Sequence, residues 1–88
     1  MMKEKLSNIH LAVINNLKID GCDFYPSQGL FIIHLANKKC AKVVLNEDNT
    51  TSLTVFDSHN GNLHTHTFKD DHHLVLSDAI TSLIQVFC

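Results

Sequence analysis

Apolar residues recur every three or four positions at both ends of the chain and every second position between. Residues 3–18, KEKLSNIHLAVINNLK, carry Leu6, Ile9, Val13, Ile14 and Leu17 in steps of three, four and one, which places them on one face of a helix. The pattern predicts an amphipathic helix over 4–18, with His10 at the edge of its stripe. Gly21 is placed to release the chain from helical geometry. Near the other end, Ile80, Leu83, Ile84 and Phe87 follow the i, i+3, i+4, i+7 rule. Ser77 reads as the N-cap of this second helix, over 78–87, and Asp78 suits its positive dipole end.

Between the helices the chain is rich in β-branched and aromatic residues. It is punctuated at Pro26–Gly29, Asn37–Lys39, Asn46–Asn49 and Ser58–Gly61. Short apolar runs separated by turn residues read as successive hairpins. Strands are predicted at 22–25, 30–36, 41–45, 52–57 and 62–68, the first being short. The fold class is therefore α+β in one domain, residues 1–88: an N-terminal helix, an antiparallel four- or five-stranded meander, and a C-terminal helix. One shared core in so short a chain favours both helices on the same sheet face.

Run 30–36, LFIIHLA, is apolar on both sides. Phe31, Ile33 and Leu35 alternate with Leu30, Ile32 and His34. A three-residue connection at 37–39 would set the first group beside Ala41, Val43 and Leu45 and leave His34 with Lys42 on the second face; a two-residue connection would swap the pairing. Leu30, Ile32 and Val44, joined by Phe56 or Tyr25, form a candidate second apolar patch. Such patches mark protein contacts.

Charge narrows the function further. Residues 1–44 hold six lysines against three acids, and residues 45–88 one lysine against six acids, for a net charge of −2. There is no arginine, the residue best suited to phosphates and guanine edges. Nucleic-acid binding is not expected. No apolar run approaches the roughly 20 residues of a membrane span, and the first residues are too polar for a signal peptide. Cys22, Cys40 and Cys88 are odd in number and widely spaced, which suggests free thiols and a cytoplasmic setting. Cys22 and Cys40 would serve as small apolar residues, with Cys88 exposed.

Candidate chemistry is concentrated in HNGNLHTHTFKDDHH, residues 59–73, which holds five of the seven histidines. His64 and His66 share one face of a strand and are the candidate metal ligands. A two-residue turn at Asn60-Gly61 would place Asp57 opposite His64, and a three-residue turn ending at Gly61 would place Phe56 there. No further ligand converges by spacing, so neither a resident metal nor a cofactor is expected. No nucleophile elbow, phosphate loop or paired-carboxylate motif is present, and proximity of some cysteine to some histidine is expected by chance. The sequence thus favours a non-enzymatic protein-binding module of the inhibitor, immunity, antitoxin or phage-accessory kind. Its contact residues would be Leu30, Ile32, Val44 and Phe56, and its partner another protein or itself. The alternative is a metal- or ligand-binding protein built on the 59–73 hairpin.

Overall fold

In the computed structural model, residues 2–17, 19 and 21–87 are described. They form α1 (Met2–Asn16), β1 (Gly21–Tyr25), β2 (Leu30–His34), β3 (Lys39–Leu45), β4 (Thr51–Asp57), β5 (Gly61–Phe68) and α2 (His73–Gln85). The five strands make one antiparallel sheet in the order β1-β2-β3-β4-β5. The short first strand is real, and the meander has five strands.

Alternation decides the layers. Phe31, Ile33, Ala41, Val43, Leu45, Leu53 and Val55 are buried, while the residues between them along each strand are only half-buried. The buried set joins Leu6, Ile9 and Val13 of α1 and Leu76, Ile80 and Ile84 of α2 in a single core. Both helices therefore lie on one face of the sheet, over its three central strands, and the fold has two layers. The regularity of this alternation reflects a sheet with one dry face and one wet one. Among the described residues no helix is long and apolar enough to cross a membrane.

Several boundaries and registers differ from expectation. α1 ends at Asn16, and Lys18 lies outside the described residues. Gly21 does not unwind the helix by a left-handed conformation but opens β1. α2 begins at His73, well before Ser77. Its N-cap is His72, whose Nδ1 accepts from the Leu74 backbone N–H at 3.2 Å. Ser77 lies inside the helix, buried, and its hydroxyl donates to the His73 carbonyl at 2.6 Å. That bond satisfies a polar group which would otherwise favour a helix start. Leu76 is in the core, but Leu74 is 56% exposed.

The β2–β3 connection spans three residues, as one alternative required, but it is Ala36–Lys38 rather than 37–39. Asn37 and Lys38 both take positive φ there. Ile33 faces Ala41 and Phe31 faces Val43, so the apolar groups share a face as expected. At the β4–β5 hairpin neither expected register occurs. Asp57 pairs with Gly61, and a bulge then sets His64 opposite Val55 and His66 opposite Leu53. The Asp57 carboxylate accepts from the backbone N–H groups of His59 (2.7 Å) and Asn60 (3.3 Å), closing the turn before Asn60 can take a hairpin-corner position. Gly61 supplies the required φ of 78°.

Candidate functional site

The helix-free face of the sheet is organised in rows across the strands. Tyr25, Leu30, Val44, Ser52 and Thr67 form one row; Asp23, Ile32, Lys42, Thr54 and Thr65 form the next. A third runs through His34, Cys40 and Phe56. The four contact residues named from sequence, Leu30, Ile32, Val44 and Phe56, thus share this face. Each is half-buried by its neighbours within the sheet. The β1–β3 side of the face sets Leu30, Ile32 and Val44 among Asp23, His34 and Lys42. The β4–β5 side carries hydroxyls that meet each other, Thr65 with Thr54 and Ser52 with Thr67, each at 3.4 Å.

His34 and Lys42 share this face, as the three-residue connection required; His34 sits opposite Cys40, while Lys42 faces Ile32 and Thr54. The Cys40 Sγ lies 3.5 Å from His34 Nδ1, and His34 Nε2 lies 2.7 Å from an Asp23 carboxylate oxygen. Gly21, the strand neighbour of His34, has no side chain; a Cβ there would meet the ring's Cδ2 at 3.8 Å. The thiol, imidazole and carboxylate are therefore linked across β3, β2 and β1, with Asp23 diagonal to His34 in the neighbouring row and His34 and Asp23 about half exposed. Cys40 is not a core residue. Burial and then the Asp23 carboxylate push its thiol above the ordinary value. Sequence inspection missed this grouping because Asp23, His34 and Cys40 have no motif spacing; only the register of two hairpins brings them together.

A second thiol–imidazole pair occupies the helix side. His10 Nε2 of α1 is 3.2 Å from Cys22 Sγ of β1. The His10 ring stacks on Phe24 with centroids 4.5 Å apart and meets Phe31 edge-on at 5.1 Å. Burial lowers the His10 pKa from its ordinary value, and burial followed by Asp23 raises that of Cys22. Cys22 does pack against the core, as an apolar-like residue. Cys88 lies outside the described residues.

The histidine-rich hairpin faces the helix side at the sheet edge. His64 and His66 are exposed, with rings nearly parallel (8°) and centroids 6.4 Å apart. His64 lies by Phe87 and His66 by Phe68. His72 and His73 stack on one another at the start of α2. Asp57 serves the 58–60 turn, whose His59 N–H, joined by that of Asn60, holds its carboxyl below the ordinary value. Among the described residues no three His, Cys, Asp or Glu side chains form a group able to hold a metal ion. Among the described residues, shallow depressions lie on the helix side. One of about 280 Å³ is lined by Glu4, Lys5, Asn8, Asp71, His72 and His73. Another, of about 270 Å³, is largely apolar and lies between β5 and α2, lined by His66, Phe68, Leu83 and Val86 among others.

No family model, no curated protein and no solved structure matches the chain.

Proposed function

We propose that this chain is a non-enzymatic protein-binding module, acting in the cytoplasm, that docks a different protein on its helix-free sheet face and acts by covering part of that partner. The observation that carries the reading is the convergence of Leu30, Ile32, Val44 and Phe56 on the one sheet face that neither helix covers. Strands about 4.8 Å apart make that face on the order of 500 Å². A standard interface takes roughly 800 Å² from each partner, so the contact draws on the flanking strand edges too and is reversible. The face mixes apolar side chains with a hydroxyl half and an Asp23, Lys42 pair either side of Ile32. Interfaces between separately folded proteins have that mixed character, whereas obligate dimers bury a more uniformly apolar surface. Small size and an inhibitor-like architecture add only analogy with inhibitor, immunity, antitoxin and phage-accessory proteins.

The test uses the purified full chain as bait in extract of its own source cell. The captured protein is identified by mass spectrometry, purified and titrated calorimetrically. Ile32→Asp and Val44→Ser should each weaken binding by about tenfold or more, with circular dichroism unchanged. Leu74→Ser, on the exposed side of α2, should leave binding intact. Binding indifferent to both face variants would overturn the reading. So would light scattering that shows a dimer which Ile32→Asp splits, since the face would then belong to a second copy.

A further inference from the structure

The geometry points to Cys40 as a reactive thiol, with His34 as its proton acceptor and Asp23 as the positioning residue, open to modification by small disulfides. This inference goes beyond the docking reading and does not depend on it.

The argument begins with hydrogen-bond roles. A carboxylate can only accept, so the 2.7 Å contact makes His34 Nε2 the donor to Asp23. The neutral ring then carries its lone pair on Nδ1, the atom 3.5 Å from Cys40 Sγ. The thiol accordingly donates to His34. That is the arrangement in which a carboxylate fixes the tautomer of a base that faces a nucleophile. The free thiol is a poor nucleophile in its own right, because burial and Asp23 disfavour its anion. Transfer of the proton to His34 reverses the role of Asp23. The same carboxylate that opposes an isolated thiolate stabilises the imidazolium beside it.

The reaction class follows. The Cys40 proton passes to His34 Nδ1, and the sulfur attacks one sulfur of a small disulfide R–S–S–R. A new Cys40–S–S–R bond forms as the R–S–S–R bond breaks, and the departing thiolate takes the proton back from His34 to leave as R–SH. Cys40 is oxidised and half of the disulfide is reduced. Cys22 lies on the opposite sheet face from Cys40, with β2 between their strands, so it is not placed to resolve the mixed disulfide. The sulfur is approached from the helix-free side. Among the described residues the charged and titratable groups on that face are Asp23 of β1, His34 of β2, and Lys42, two residues along β3; Tyr25 lies two rows away, and β4 contributes Ser52, Thr54 and Phe56. Lys42 favours disulfides that carry carboxylates.

The experiment treats the full chain with oxidised glutathione across pH 6 to 10 and follows each cysteine by peptide mass mapping. Cys40 should be modified faster than Cys22 near neutrality. His34→Ala should slow Cys40 by about tenfold or more near pH 7, with the difference closing toward about pH 10 as the thiol ionises unaided. Asp23→Asn separates the alternatives by sign. If Cys40 acts alone, removing the nearby negative charge lowers its pKa and speeds modification. If the relay operates, the same change slows it. Acceleration by Asp23→Asn, or a neutral-pH rate unchanged in His34→Ala, would overturn the inference. The wild-type pH profile decides the matter should either variant unfold: a plateau of reactivity at neutral pH supports the relay, and a simple rise with thiol ionisation overturns it.

Discussion

The two faces of the sheet use similar residues for opposite ends. On the helix side Phe31, Ile33, Val43, Leu53 and Val55 have no solvent exposure. On the other side Leu30, Ile32, Val44 and Phe56 are equally apolar but only half-buried. Each face also holds a cysteine beside a histidine. At Cys22 the imidazole belongs to a helix and is packed between aromatic rings, so burial opposes its charge. At Cys40 the imidazole lies on the sheet surface and has a carboxylate behind it. Proximity of sulfur to nitrogen is thus common to both pairs. The environment behind the nitrogen is what distinguishes a packing contact from a proton relay.

Adjacent isoleucines give the strongest way to break that comparison. Ile33 points into the core and Ile32 away from it. Ile33→Ala should cost about 2–5 kcal/mol, the transfer and cavity loss of a buried branched side chain. Ile33→Asp should leave the chain unfolded, since a carboxylate there has no partner. Ile32→Ala should cost about 1 kcal/mol or less, and Ile32→Asp should remain folded, flanked as it is by one like charge, Asp23, and one opposite charge, Lys42. Urea unfolding followed by circular dichroism measures all four. Equal losses at 32 and 33 would mean that the second face is covered after all.

Most of this architecture was legible in the chain because alternation and helical periodicity are properties of single segments. Leu6, Ile9 and Val13, or Phe31 and Ile33, declare their faces without reference to any other element. Register is a relation between segments and was not legible. The Ala36–Lys38 connection depends on two consecutive positive-φ residues, neither of them glycine, and the β4–β5 bulge depends on a carboxylate closing its own turn. The Asp23, His34, Cys40 grouping inherits both the β1–β2 and the β2–β3 register. Its residues span 18 positions of sequence and signal nothing until those pairings are known. The start of α2 was obscured differently: Ser77 is a common cap, and His72 a rare one that performs the same acceptor role.

Threonines sharpen the contrast at smaller amplitude. Thr51 is fully buried on the helix side, and among the described residues its hydroxyl has no hydrogen-bond partner; the hydroxyl of buried Thr81 of α2 likewise has none among them. Thr54, on the other face, meets the Thr65 hydroxyl at 3.4 Å. An orphaned buried hydroxyl carries an uncompensated desolvation cost. Thr51→Val keeps the β-branched shape and removes that cost, so it should raise stability by about 1 kcal/mol. Thr54→Val should change it by less than about 0.5 kcal/mol. Loss of stability in Thr51→Val, read from the urea midpoint, would show that the Thr51 hydroxyl is satisfied in solution.

The smallest expected effect concerns protonation of the helix-side pair. Burial holds the His10 pKa below its ordinary value, so the unfolded chain takes up a proton at this site that the folded chain resists. Stability must then fall as pH drops below about 6.5, the ordinary histidine value, and the loss is complete once pH passes below the folded pKa. Above that window both states are neutral at His10 and the residue contributes nothing. Asp48 and Asp57 act in a separate window. Hydrogen bonds, led by the Thr50 hydroxyl at Asp48 and the His59 N–H at Asp57, hold both carboxyls below their ordinary value. Whatever stability they contribute is lost only below about pH 4. His10→Phe keeps a ring against Phe24 and Phe31 while removing the titration. Its thermal midpoint should therefore change less than that of the wild type between pH 7 and 5. Parallel pH profiles for the two proteins would place His10 in water rather than between the rings, and the two faces would then treat their imidazoles alike.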